Sequence, residues 1–115
     1  MSSLALSTRR ESGRAVVSLA GELDLATVDS LREVALAELS DAECRTLVLD
    51  LDGLTFLDST GLGCWVELRN RAGEQGKSLQ LDAVPPAALR TMTIAGLAPL
   101  FGVDAGPGPE EISAT

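Results

Sequence analysis

The stretch Thr46-Leu47-Val48-Leu49-Asp50-Leu51 constrains this chain most. A nearly unbroken apolar run of this length fits a central strand covered on both faces, as in a parallel sheet. Helical periodicity stands on either side of it. Upstream, Val28, Leu31, Ala35 and Leu39 fall on one face, with Asp24 placed to cap the helix and Ser40-Asp41 to end it. Downstream, beyond Leu54-Thr55-Phe56-Leu57, a helix is expected from Ser59 or Thr60 to about Gly73. There Leu62, Trp65, Leu68 and Ala72 share one broad side, with Gly61 where a missing Cβ lets the helix approach the sheet. Trp65 reads as core, and Arg69 as a packed stem with its head in water.

The rest of the chain fits around that unit. Leu4 to Thr8 and Ala15 to Ala20 read as strands joined by the turn cluster Glu11-Ser12-Gly13-Arg14. Ser78 to Ala83 alternates as a strand, and Pro85-Pro86 opens a helix with Leu89 and Met92 inward and Gly96 as its stop. Leu100 to Val103 reads as a short last strand. The predicted order is ββαβαβαβ, an α/β domain with a mixed sheet and helices packed against it. Residues 1–103 form the domain, and the Gly/Pro-rich acidic tail 104–115 is expected to be flexible.

Composition then excludes function classes. At 115 residues and 45% apolar, the chain suits one globular core. It has no His, so neither a Ser-His-Asp nor a Cys-His catalytic unit can form within it, and two Cys alone cannot close a structural zinc site. A net charge of −8 opposes binding to a nucleic acid backbone and suits a basic protein partner. The N-terminus lacks the order of a secretory signal, and no run reaches the roughly 18 apolar residues of a membrane span. A cytoplasmic protein is expected, with Cys44 and Cys64 reduced, no cofactor and no metal. Cys64, one turn from Ser59, reads as a small semi-buried apolar residue rather than a redox handle.

Two stretches could carry chemistry. Asp50-Leu51-Asp52-Gly53 resembles the nucleophile motif of haloacid-dehalogenase-type phosphatases. Leu54 stands where that family has Thr, and the later acidic pair for magnesium is missing, so a strand end and turn is the better reading. The second stretch is Phe56-Leu57-Asp58-Ser59-Thr60-Gly61-Leu62-Gly63. Either Asp58 or Ser59 simply caps the helix, or Ser59 is a phosphoacceptor beside free N–H groups that tolerate added negative charge. A nucleophilic Ser59 lacks a base, since the one Lys, Lys77, falls on a distant turn, and Gly61-x-Gly63 is too little for a nucleotide loop.

Gly21-Glu22-Leu23-Asp24-Leu25-Ala26-Thr27, Val48-Leu49-Asp50-Leu51 and Asp58-Ser59-Thr60-Gly61 resemble the successive signatures of STAS domains, and more closely of the bacterial anti-sigma factor antagonists. Ile94 to Phe101 is similar to the stretch before that family's last strand. The resemblance implies partner switching. The unphosphorylated antagonist binds an anti-sigma factor that is also a serine kinase, releasing the sigma factor. Phosphorylation of Ser59 ends the binding, and a metal-dependent serine phosphatase resets it. The chain would then be no enzyme. Glu22, Asp24, Asp58, Ser59, Thr60, Gly61, Gly63 and Glu67 would meet the partner, with Asn70 on the same outward side. The alternative is a STAS regulatory subunit of another assembly, a phospholipid transporter or a stress-sensing complex. The family usually ends in a further helix, which the tail's Gly and Pro residues would interrupt.

Overall fold

The computed structural model describes residues 2–103. Its sheet has four strands in the order β1 (Leu4–Glu11), β2 (Arg14–Leu23), β3 (Thr46–Leu57) and β4 (Ser78–Asp82). β1 runs antiparallel to β2, while β2, β3 and β4 are parallel. The hairpin turns through Ser12 and Gly13, both at positive φ (49° and 81°), as a two-residue primed turn requires. The parallel strands are joined by α1 (Val28–Leu39) and α2 (Ser59–Glu74), and α3 (Pro86–Ile94) follows β4. Pro86 occupies the first helical position of α3, and Gly96, at φ +75°, follows its end. The residues expected to end the domain's tail, 104–115, lie outside the described part.

The apolar run behaves as a central strand, with differences. β3 is one strand of 12 residues, so Leu54 to Leu57 extend the ladder rather than lead away from it. Its Leu47, Leu49 and Leu51 enter one core cluster with Leu31 and Ala35 of α1, Trp65 and Leu68 of α2, and Met92 of α3. Among the described residues, the three helices therefore cover one face rather than two. Val16 and Val48 are buried on the opposite face, outside that cluster. Polar pairs flank them there: Ser18 donates to Asp50 at 3.1 Å, and the Thr46 and Ser78 hydroxyls meet at 3.1 Å.

The expected last strand at Leu100 to Val103 is absent. Ala98–Phe101 instead forms a 3-10 turn, closed by Gly102 at φ +68°. Pro99 offers no N–H to a sheet ladder. The turn lets Phe101 set its ring edge-on to Trp65, 6.4 Å between centroids, and the Arg69 side chain donates to Leu100 O at 3.0 Å. Trp65 is fully buried, as expected.

Charge ties the hairpin to α1. Arg10 of β1 reaches Glu38 at 2.8 Å and Asp41 at 2.5 Å. The Glu43 N–H, then Arg10, hold the Asp41 carboxyl below the usual carboxylate range. A carboxyl depressed by folding stabilises the fold above its unfolded pKa and stops doing so as pH falls through the lowered value. Arg10→Ala is therefore expected to melt below the parent protein at pH 7, with the difference shrinking as pH falls below the ordinary carboxylate range, in thermal unfolding followed by circular dichroism.

Candidate functional site

β2 and β3 end side by side, and the site is built on that register. Glu22 lies opposite Phe56 and Leu23 opposite Leu57. One step further the Asp58 N–H donates to Leu23 O at 3.3 Å, which joins the two following loops at their roots. The motif loops carrying Glu22-Leu23-Asp24 and Asp58-Ser59-Thr60 thus adjoin.

Asp58 resolves the choice of cap. Its backbone is extended, its Oδ1 accepts the Gly61 N–H at 3.1 Å, and its carbonyl accepts the Leu62 N–H at 3.1 Å. Ser59 is left as the first residue of α2, exposed, without a side-chain hydrogen bond among the described residues. Thr60 behind it is half-buried.

Asp24 does not cap α1, contrary to expectation. Thr27 occupies the N-cap position without a side-chain cap bond, and its hydroxyl donates to Glu22 O at 2.8 Å. Asp24 shapes the turn before it. Its Oδ1 accepts the Ala26 N–H at 3.0 Å, and the Ser2 hydroxyl donates to Oδ2. The Ser2 hydroxyl, supported by the Ala26 N–H, holds the Asp24 carboxyl below the usual range. The physical reason is spacing: Asp24 lies four residues before α1, and only its carbonyl reaches the helix, at the Val28 N–H (2.9 Å).

The two glycines in the first turns of α2 differ in kind. A Cβ on Gly61 would stand 2.6 Å from Leu23 Cγ and 2.9 Å from Leu57 Cδ1, so only Gly lets the helix sit this close to the strand ends. A Cβ on Gly63 would meet nothing within 4 Å. Gly63 is exposed, and Glu67 lies a turn beyond it, half-buried. Arg32 of α1 donates to Glu67 at 3.0 Å and also pairs with Asp29. Glu67 is thus already paired within the chain. Asn70 is exposed further along α2.

The remaining candidates are occupied structurally. Asp50 accepts from Ser18 and from the Asp52 N–H (3.2 Å), tying β2 to β3 on the face opposite the helices. Cys44 and Cys64 are free and buried, Cys64 more deeply than its expected semi-buried place. Burial pushes the Cys64 thiol up to about 11. No described helix is long and apolar enough to cross a membrane. Leu25 and Phe56 stand exposed at these strand ends without a signature in the sequence; an amphipathic pattern predicts which side chains turn inward, and neither belongs to a helical face.

A four-stranded mixed sheet with helices on one face and a capped helix opening at the paired strand ends defines a small α/β domain. Comparison sharpens this. The family model described as "Mlab, STAS domain" matches residues 6–102, and the chain belongs to the STAS family. The anti-sigma-B factor antagonist of Bacillus subtilis (strain 168) is 35% identical over 91 residues, covering 77% of this chain and 80% of that protein. The crystal structure of an anti-sigma factor antagonist from Mycobacterium paratuberculosis superposes with a TM-score of 0.78 at 27% identity, covering 97% of this chain and 93% of the other. The anti-sigma factor antagonist SpoIIAA in its unphosphorylated form gives a TM-score of 0.67 at 25% identity, with 95% and 93% covered.

Gly61→Ala is expected to lower stability by about 1 kcal/mol, because overpacking of order 1–3 kcal/mol exceeds the helix-propensity gain of under about 1 kcal/mol. Gly63→Ala, with open space above it, should raise stability by about 0.5–1 kcal/mol. Denaturant unfolding of the two variants tests both signs. The buried thiols should react with a thiol reagent only slowly in the native protein at pH 8, and at once in denaturant.

Proposed function

We infer that this protein is an anti-sigma factor antagonist whose binding is switched at Ser59. The observation that carries the reading is the exposed Ser59 hydroxyl at the start of α2, with its helix already capped by Asp58. The relatives named above as anti-sigma factor antagonists support the partner class. The likeness to SpoIIAA, a protein described by its phosphorylation state, supports the control.

The mechanism follows from where charge would land. The unphosphorylated face, with Glu22, Asp24, Asp58, Ser59, Thr60, Gly61, Gly63 and Glu67, binds an anti-sigma factor and frees the sigma factor. Gly63 admits the partner's backbone, and that role accounts for a helix glycine that local packing does not require. The anti-sigma factor, acting as a serine kinase, transfers the γ-phosphoryl group of ATP to Ser59 Oγ. The product adds about −1.5 to −2 charges beside Asp58. The helix N-terminus accommodates them locally, so the fold survives. The desolvated interface does not, because repulsion and desolvation both oppose it. A serine phosphatase restores the binding form. In this reading the chain is a substrate and a ligand, works in the cytoplasm, and catalyses nothing itself.

Candidate anti-sigma factors purified from the source organism test this by binding with and without ATP. The parent protein should bind and be released on ATP addition, and intact mass with fragmentation should place one phosphate on Ser59. Ser59→Ala should stay bound in ATP, while Ser59→Asp should bind at least about tenfold more weakly with an unchanged melting temperature. Phosphate on Thr60 instead would overturn the assignment.

A further inference from the structure

Three large apolar side chains stand exposed among the described residues: Leu25 (76%), Phe56 (48%) and Ile94 (80%). Single exposed apolar residues are ordinary on a protein surface. Two of these are set apart by position. Leu25 follows Asp24 in the loop after β2, and Phe56 lies opposite Glu22 at the end of β3. Ser59 opens α2 from those same two strand ends.

The charge around the pair has one sign. The segments that meet at this end of the sheet lie within residues 15–31, 46–68 and 78–89, and none of them contains Lys or Arg. Of their acidic residues, Glu22, Asp24 and Asp58 stand at the adjoining strand ends and loops. The first cation after Leu25 is Arg32, already held by Glu67 and Asp29. The basic residues of the hairpin, Arg9, Arg10 and Arg14, stand at the other end of β1 and β2.

We propose that Leu25 and Phe56 are the apolar anchors of the partner interface, and that they select an anti-sigma factor surface with an apolar centre and a rim of Lys and Arg. The inference rests on the function proposed above. Binding energy concentrates in a few large apolar or aromatic side chains that become fully desolvated, within a surround that excludes water. Complementary charge at the rim governs encounter and register. A partner face of negative sign would meet the carboxylates of Glu22, Asp24 and Asp58 with no cation in these segments to answer them. The same arrangement explains the leverage of one phosphate on a chain already at −8. It would land at the start of α2, on the strand ends that also carry the anchors, among segments without Lys or Arg, and where the interface removes water.

The test is biolayer interferometry against the purified anti-sigma factor that binds the parent protein in the preceding assay. Leu25→Ser and Phe56→Ser should each weaken binding by about tenfold or more. Ile94→Ser, at the end of α3, should leave it within about twofold. All three should melt within about 2 °C of the parent, and Leu25→Ser, the more exposed of the two anchors, decides if Phe56→Ser does not. The association rate should fall several-fold between about 50 and 300 mM NaCl. If the parent binds and Ser59→Asp does not, but both anchor variants bind within twofold, the anchors are wrong and the function stands. A salt-independent association rate overturns the basic rim. A parent protein that binds no anti-sigma factor overturns the function and this inference together.

Discussion

The pairing of β2 with β3 is the constraint on which the rest depends. Its last bonds set Leu23 beside Leu57 and bring the Asp58 N–H to Leu23 O. Two loops far apart in sequence thereby start from one place. α2 then has to leave from directly beneath the strand ends, and the absence of a Cβ at Gly61 permits it. Any shift of that register would separate the Glu22–Asp24 turn from Ser59 and dissolve the site while leaving every residue in place.

Packing and the proposed switch use different faces of the same helix. Leu62, Trp65, Leu68 and Ala72 hold α2 to the sheet with essentially no exposure, so the helix is a fixed platform. Ser59 and Gly63 face outward from it, and Glu67 lies beyond them, paired with Arg32. Charge added at Ser59 therefore meets a rigid surface whose cap is already satisfied by Asp58. A rigid platform suits control by interface electrostatics, since the fold has nothing to gain by rearranging and the partner has a binding surface to lose.

Much of this was legible in the sequence because periodicity reports burial. The helical stripes of α1 and α2 and the apolar run of β3 read correctly, since each reflects side chains meeting a core, and the Pro86 start of α3 did so because its fixed φ and missing N–H suit a first helical position. The misreadings share a cause. Asp24 has the chemistry of a cap but lies too far from α1 for its carboxylate to act there, and Thr27 stands in its place without a cap bond. Leu100 to Val103 has the composition of a strand, yet Pro99 and the contact of Phe101 with Trp65 make it a 3-10 turn. Val48, buried without joining the helix-covered cluster, shows that an apolar run signals burial and not what covers it.

Element order, the inward sides of the helices and Asp58-Ser59 as the start of α2 were readable from the residues alone, because these depend on neighbours within a few residues. Three-dimensional packing was needed to show that Asp58, and not Ser59, caps the helix, that the Glu22 and Ser59 loops adjoin, and that Leu25 and Phe56 stand exposed at the same strand ends. It also separated Gly61, needed for packing, from Gly63, which packing leaves free. The cap is a local bond from the Gly61 N–H to Asp58, but the other outcomes depend on strand register and on the approach of one element to another, set by contacts between residues more than thirty positions apart.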